Sequence, residues 1–155
     1  MRINLFYFKK LRLVFILIFL LQFQFIKASE TKSQEKQLSE LWKSAIQNNR
    51  NWDHYAALED YSKALIIAPN NHLLFYNRGL TYVNLQLLTQ AINDFDNSIK
   101  IKPDFGPSYG DRGMAFYDLD QKDKACADFK KAADLKYKRA VIWIKDSKRN
   151  SWCIK

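Results

Sequence analysis

Glycine and proline are scarce in this chain, which has 4 glycines and 3 prolines among 155 residues. Sandwiches and barrels of β-strands need many tight turns, and such turns are built largely from these residue types. The chain has too few of them for either architecture. Its length is typical of one domain, and the 48 % of its residues that are hydrophobic are ample for a core. The composition therefore favours long helices and an all-α fold.

Residues that commonly catalyse reactions or bind metals are also few. The two histidines, His54 and His72, have no cysteine or carboxylate at metal-ligand spacing. Asp118, Asp120 and Asp123 are spaced as in a calcium loop, but its central glycine and closing glutamate are missing, which indicates a turn between helices. The chain has no phosphate-binding glycine-rich loop and no nucleophile motif. We therefore predict that the protein is not an enzyme and uses no cofactor or metal.

Acidic residues are absent from the leader, Met1 to Ala28, although the whole chain has 16 of them. The basic residues of this leader are Arg2, Lys9, Lys10, Arg12 and Lys27. Because 5 of the 25 basic residues lie there, the net charge of +9 falls to +4 in the rest of the chain. That balance is ordinary for a soluble domain and does not indicate binding to nucleic acid.

An apolar run follows the basic start of the chain. Residues 13–26 carry no charge, and in them the run from Leu13 is interrupted only by Gln22 and Gln24. This pattern is typical of a signal peptide, whereas a membrane-spanning helix needs about 20 apolar residues. We expect residues 1–28 to direct export and to be cleaved after Ala28, with 29–37 as a polar linker or helix start. The alternative is a leader retained as a membrane anchor.

Self-similarity at one regular spacing extends through most of the chain. Neighbouring members of each of the following columns differ by 34 in residue number: Ala57, Ala91 and Ala125; Tyr61, Phe95 and Phe129; Ala64, Ser98 and Ala132; Leu41, Phe75 and Tyr109; Gly79 and Gly113; Arg78 and Arg112; and Pro69 and Pro103. So many coincidences at one period indicate internal repeats. Small residues let two antiparallel helices approach closely, bulky residues fill the space around them, and proline ends the second helix.

These columns, with the segments ALEDYSKALIIAPNN and FYNRGLTY…AINDFDNSIKIKPD, resemble the tetratricopeptide repeat (TPR). The resemblance covers residues 38–139 and implies an α-solenoid of three helix-turn-helix repeats, 38–71, 72–105 and 106–139. Repeat 1 departs from the pattern, since Asn48 replaces an aromatic residue and NNRNWDHYA suggests a loop changed by one residue. Repeat 3 has Tyr137 in place of the terminal proline. The tail ACADFKKAADL…VIWIK…WC is similar to exported bacterial, including cyanobacterial, TPR proteins.

The period also continues beyond the third repeat. Trp143 extends the column that contains Tyr109, and Ser147 extends the column that contains Gly113. Residues 139–149 are therefore predicted to form the first helix of a truncated fourth repeat, and 140–155 are assigned to the capping helix and tail. Such a helix covers the apolar end of a solenoid. Its inward-facing residues are expected to be Ala140, Val141, Trp143 and Ile144.

In TPR proteins, positions 2, 5, 9 and 12 of each repeat line a concave groove. The resemblance places there Ser39, Trp42, Ile46 and Asn49; Leu73, Tyr76, Leu80 and Val83; and Pro107, Gly110, Met114 and Tyr117. This mostly apolar and aromatic set suits an apolar peptide or an amphipathic helix. We expect its side chains, including Tyr76 and Leu80, to contribute little to packing between repeats. The alternative is that the N-terminal segment or a second copy fills the groove.

Chaperone-binding TPR proteins hold a C-terminal carboxylate with Lys and Asn in the first repeat and with Lys and Arg in the third. This chain has Trp42, Ile46, Pro107 and Asp111 at those positions, and it keeps only Asn77. A carboxylate clamp is therefore not expected here.

Cys126 and Cys153 are the two cysteines of the chain. In an oxidising compartment, an even number of cysteines pairs by default. Cys126 lies near the start of the second helix of repeat 3, and an antiparallel capping helix returns its far end toward it. We expect a disulfide, with two free thiols as the alternative.

The sequence thus predicts an exported, non-enzymatic interaction module, an adaptor or assembly factor, with a protein or peptide partner. The alternative is a membrane-tethered scaffold that keeps its leader. In that case the basic C-terminal region, from Lys130 to Lys155, faces the bilayer.

Overall fold

The computed structural model describes residues 5–146 and Cys153, with side chains described from Ile18 onward. Within these residues the chain forms seven α-helices and no strand. They are α1 (Leu5–Arg50), α2 (His54–Ile67), α3 (His72–Asn84), α4 (Leu88–Ile101), α5 (Gly106–Asp118), α6 (Lys122–Asp134) and α7 (Lys138–Lys145). The prediction of an all-α fold is confirmed. The chain divides into two compact units, residues 1–39 and 40–155.

The first unit consists of the N-terminal part of α1. Residues 29–37, expected as a linker or helix start, are helical throughout, because their Glu, Lys and Gln residues favour a helix and no Gly or Pro interrupts them. The large apolar side chains exposed on this unit are Ile18, Phe19, Leu20, Leu21, Phe23, Phe25 and Ile26. Among the described residues, no helix carries an apolar stretch long enough to cross a membrane.

The helices of the second unit follow the period of the sequence. The first helices of the three repeats end at Arg50, Asn84 and Asp118, and the second helices begin four residues later in each case. Trp52, Gln86 and Asp120, at the same position of each turn, have left-handed backbones with φ of 64°, 60° and 57°. Repeat 1 therefore has the same turn as the others, and the expected one-residue loop change is wrong.

Small and large residues alternate in the core as the columns predict. Ala57, Ala91 and Ala125 are fully buried, and so are Tyr61, Phe95 and Phe129, with at most 2 % of each residue exposed. Each of the last two rings contacts the glycine column: a Cβ atom added at Gly79 would lie 2.8 Å from Phe95 Cε1, and one at Gly113 3.1 Å from Phe129 Cε1. The missing side chains allow the helices of one repeat to approach closely.

An arginine–aspartate pair also recurs, and the sequence analysis missed it. Arg78 donates through Nε and Nη2 to both carboxylate oxygens of Asp94, at 2.7 and 2.8 Å, and these bonds raise the pKa of Arg78. Arg112 binds Asp128 in the same way, at 2.7 Å for both contacts. Each arginine also reaches the preceding repeat, where the acceptors are Ser62 and Asp96. Each pair thus joins the two helices of one repeat, and its arginine also links that repeat to the preceding one.

Repeat 1 has Ser44 at the arginine position, and its aspartate is bound by Asn48 instead. Asn48, which replaces an aromatic residue of the repeat pattern, donates through Nδ2 to Asp60 Oδ2 at 2.9 Å. Asp60 occupies the same repeat position as Asp94 and Asp128. The departure noted in the sequence therefore preserves a polar contact between the two helices of the repeat.

The capping helix is shorter than predicted and starts earlier in the repeat. It ends at Lys145, with Asp146 as its C-cap, so the predicted helix over 139–149 is wrong at its end; residues 147–149 lie outside the described residues. The loop before it has three residues, against four in the earlier junctions. Because Tyr137 is not a proline, its N–H donates to Ala132 O at 2.9 Å, and Lys136 adopts a left-handed backbone.

The inward face of α7 agrees with the prediction. Ala140 is buried, whereas Val141, Trp143 and Ile144 are half-buried and Ile142 is exposed. The Trp143 ring stacks on Phe129 with their centroids 3.8 Å apart. This helix therefore covers the apolar end of the third repeat.

Candidate functional site

The first helices of the repeats are joined side by side. Asn49 at the end of α1 donates to Thr81 Oγ1 on α3 at 2.8 Å, and Tyr76 on α3 donates to Asp111 Oδ2 on α5 at 2.7 Å. We use "groove face" for the surface that carries the predicted groove residues of α3 and α5, namely Leu73, Tyr76, Leu80, Val83, Met114 and Tyr117. The predicted residues Trp42 and Ile46 lie on the last turns of α1.

Most of the predicted groove residues are half-buried. They are Trp42, Ile46, Leu73, Tyr76, Asn77, Leu80, Val83 and Tyr117, whereas Met114 is exposed. Asn77, which the family clamp retains, donates through Nδ2 to Leu73 O of its own helix at 2.7 Å. The apolar members thus form a partly accessible surface, while the amide of Asn77 is engaged within α3.

Tyr76 has a structural role that the sequence analysis did not anticipate. Its ring packs edge-on against Phe105, with centroids 5.2 Å apart, and lies 5.9 Å from the buried Phe95 ring. Its hydroxyl is also bonded to the buried Asp111. The expectation that Tyr76 contributes little to packing between repeats is therefore wrong, because its hydroxyl binds the buried Asp111 of the next repeat.

A pocket of about 160 Å³ opens between α5 and α7. Its walls are formed by Gly110, Asp111, Met114, Phe129, Tyr137, Arg139, Ala140 and Trp143. Gly110 has a direct part in its shape, since a Cβ atom there would lie 2.5 Å from Tyr137 Cε1. The ring of Tyr137 therefore rests against the bare backbone of α5.

Asp111 is the buried ionisable group of this pocket, with 7 % of its surface exposed. Burial raises its pKa, against the opposing effects of the hydrogen bond from Tyr76 and the charge of Arg139. Arg139 Nη1 lies 3.4 Å from Asp111 Oδ1 and also 3.4 Å from the Tyr137 hydroxyl. Burial, followed by the Asp111 charge, raises the pKa of Tyr76 in turn.

Sequence reasoning missed the pairing of Asp111 with Arg139. The repeat position of Asp111 indicates only that a carboxylate clamp is absent, and Arg139 belongs to the basic C-terminal region. The two residues are 28 positions apart and lie on different helices. Only the placement of α7 against α5 and α6 brings them together, so no local sequence signal identifies the pair.

The two cysteines lie close to each other. The structure joins Cys126 on α6 to Cys153 by a disulfide, with their Cα atoms 5.3 Å apart. Cys153 is buried and has 2 % of its surface exposed. In the part of the chain that the structure describes, no group of His, Cys, Asp or Glu side chains has the arrangement of a metal site.

Comparisons with known proteins agree with this architecture. Residues 73–105 and 106–139 match the tetratricopeptide repeat family model. No curated protein matches the chain significantly.

Several solved structures resemble the fold. The Arabidopsis OM64 TPR domain has 21 % identity and a TM-score of 0.69, covering 75 % of this chain and 98 % of that one. The second TPR domain of human RPAP3, in complex with the HSP70 peptide SGPTIEEVD, has 22 % identity and a TM-score of 0.67. The match covers 79 % of this chain and 98 % of that one. The first TPR of Spaghetti (RPAP3), bound to the HSP90 peptide SRMEEVD, has 19 % identity and a TM-score of 0.68, covering 74 % and 92 %.

TPR domains are protein–protein interaction modules, as the two peptide complexes illustrate. The fold of this chain is shared with them at low identity, and its match to the family model rests on two adjacent segments. Residues 73–139 are therefore two tetratricopeptide repeats, and the chain has the all-α TPR fold.

Proposed function

We propose that this protein is an exported, non-enzymatic adaptor or assembly factor that binds a peptide or an amphipathic helix of a protein partner on its groove face. The observation that carries the proposal is the apolar character of this face. Leu73, Leu80 and Val83 are half-buried, and Met114 is exposed beside them. An apolar surface of this kind at adjacent helices favours an apolar segment as the ligand.

An acidic C-terminal peptide is a poor candidate for the partner. The peptides bound by the two RPAP3 domains end in EEVD. In this chain, Asp111 occupies a position where the clamp has a basic residue, and its carboxylate repels such an end. Trp42, Ile46 and Pro107 supply no positive charge at the other clamp positions. We expect no measurable binding of SGPTIEEVD to the full chain.

The N-terminal pattern supports export. Its basic start and its uncharged run over 13–26 are those of a signal peptide, and the two cysteines suit an oxidising compartment. The exposed apolar side chains between Ile18 and Ile26 are removed from water either by cleavage of the leader or by its retention in a membrane. Retention is the second candidate, the membrane-tethered scaffold.

Site-specific photocrosslinking in the native host tests the groove face. A benzophenone side chain is introduced at Met114 in the full chain and, as a matched control, at Ile66. Both native side chains are apolar and exposed, and Ile66 is on α2, outside the groove face. We expect a discrete partner adduct from position 114 and none from position 66.

The adduct also identifies the occupant of the groove by mass spectrometry. A partner adduct of equal yield from both positions contradicts the proposal. An adduct that contains a second copy of this chain, or the chain's own N-terminal segment, means that the groove is self-occupied. That result also contradicts a partner site on this face.

A further inference from the structure

The pocket between α5 and α7 contains a carboxylate whose two oxygens are not equally satisfied. Asp111 Oδ2 accepts a hydrogen bond of 2.7 Å from the Tyr76 hydroxyl. Asp111 Oδ1 has Arg139 Nη1 at 3.4 Å, which is longer than the roughly 2.7–2.9 Å of a good charge-assisted hydrogen bond. Oδ1 therefore keeps the capacity to accept a stronger bond from a cation.

The walls around this carboxylate are suited to a planar cation. Phe129 and Trp143, which stack on each other, line the pocket, and the Tyr137 ring rests against Gly110. A guanidinium group stacks on aromatic rings while its N–H groups bind a carboxylate. The compact, strongly hydrated ammonium group of lysine uses such walls less well.

We propose that this pocket binds an arginine side chain of the partner, which pairs with Asp111 Oδ1 and displaces Arg139. The inference rests on the proposed function and names the chemistry of its ligand: a peptide segment with an arginine among apolar residues. The charge preference is opposite to that of a clamp for acidic C-termini.

Arg139 acts as an internal substitute for the partner's arginine. Its side chain is 73 % exposed at the mouth of the pocket, so its pairing with Asp111 is weak and easily exchanged. The pKa of Asp111 stays raised by burial even with Arg139 and Tyr76 present. A more deeply placed cation therefore gains from a negative charge that Arg139 leaves incompletely compensated.

Peptide selection tests the inference without knowledge of the natural partner. The purified full chain is used to select from a random library of octapeptides with amidated C-termini, and the selected peptides are assayed by fluorescence anisotropy. We expect enrichment of arginine at one position among apolar residues. Replacing that arginine by glutamine in the peptide should lower affinity about tenfold or more, as for other buried charge pairs.

Variants of the protein complete a double-mutant cycle. Asp111→Asn keeps an acceptor for Tyr76. It should lower the affinity for the arginine peptide to that for the glutamine peptide, and the affinity for the glutamine peptide should not change. Arg139→Ala should raise the affinity for the arginine peptide severalfold, because Arg139 no longer competes for Asp111. If Arg139 had only a structural role, its removal would not raise this affinity. If Asp111→Asn fails to fold by circular dichroism, the Arg139→Ala variant and the peptide substitution still decide the matter.

The outcomes separate the two levels of the proposal. Selected peptides that lack arginine, or an Arg139→Ala variant with unchanged or weaker binding, overturn the arginine pocket but not the groove. Failure to select any peptide, with crosslinking at Met114 also negative, overturns the proposed function and this inference with it.

Discussion

Gly79 and Gly113 occupy the same repeat position but differ in how closely the neighbouring ring approaches. A Cβ atom at Gly79 would lie 2.8 Å from Phe95 Cε1, whereas the nearest atom to one at Gly113 is 3.1 Å away. Phe95 is fully buried, so a shift of its ring also displaces the side chains packed around it. An alanine favours a helix by about 1 kcal/mol over glycine, and overpacking costs about 1–3 kcal/mol.

We therefore predict that Gly79→Ala lowers the free energy of unfolding by up to about 2 kcal/mol, because overpacking outweighs the gain in helix propensity. Gly113→Ala, the matched control, should change it by less than about 1 kcal/mol. Urea unfolding followed by circular dichroism measures both. Equal losses in the two variants would show that the approach of the ring is not what decides the effect.

The free energy of unfolding should depend on pH through Asp111, and the sign of this dependence follows from the pKa of its carboxyl group. Burial raises its folded-state pKa above the unfolded value, which is near 3.9. The protonated carboxyl group therefore stabilises the folded state fully below pH 3.9, and this stabilisation is lost as the pH rises through the folded-state pKa. In other words, the ionised carboxylate is the less stable form in this pocket.

Asp111→Asn should consequently be more stable than the wild type at pH 7, and the difference should vanish as the pH falls toward 3.9. The asparagine keeps an acceptor for Tyr76 and leaves Arg139 exposed to water. Urea unfolding at a series of pH values measures the difference. A variant that is less stable at pH 7 would mean that the Arg139 charge outweighs burial.

At the scale of elements, the helices of repeats 2 and 3 are the most predictable part of the molecule. The period of the sequence places the small residues, the rings and the turns in register, and helix bounds follow from it. The junction before the capping helix departs from the period at Tyr137. Its N–H donates to Ala132 O, which proline cannot do, and the loop has three residues where the earlier junctions have four.

The candidate site was less predictable than the helices that carry it. Repeat positions identify side chains such as Leu80 and Met114, because the same helix face is used in each repeat. They do not identify contacts made between repeats or with the last helix, such as those of Asp111 with Tyr76 and with Arg139. Such contacts depend on where the repeat junctions and the last helix pack, and no period in the sequence records that.

The link between α6 and Cys153 gives an expectation at the same scale. The disulfide closes a separation of 27 residues, so oxidation should stabilise the protein by about 3–4 kcal/mol in the chain-entropy model. Thiol titration of the exported protein in denaturant should find no free thiol, and reductant should lower its melting temperature. A Cys126→Ser/Cys153→Ser variant, as the control, should melt at the same temperature with and without reductant. Two free thiols per chain would contradict the pairing.

The whole molecule combines two segments of very different surface. Large apolar side chains between Ile18 and Ile26 are 45–77 % exposed, whereas the repeats bury the rings of the column Tyr61, Phe95 and Phe129. Exposed apolar surface of the first kind promotes association in water. This contrast is the physical reason to expect that the leader either is removed or remains in a lipid environment.

Processing of the leader distinguishes these two states. We predict that the exported protein begins near Ser29 and is about 3 kDa lighter than the full chain, as expected for the loss of a leader of this length. N-terminal sequencing and intact mass measure both. A Phe19→Lys/Leu21→Lys variant interrupts the apolar run and should accumulate as an unprocessed precursor, whereas Ser33→Lys/Gln37→Lys, outside the run, should be exported and cleaved normally. A membrane-bound form that retains residues 1–28 would contradict cleavage and favour the tethered scaffold, in which the repeats stay attached to the bilayer through α1.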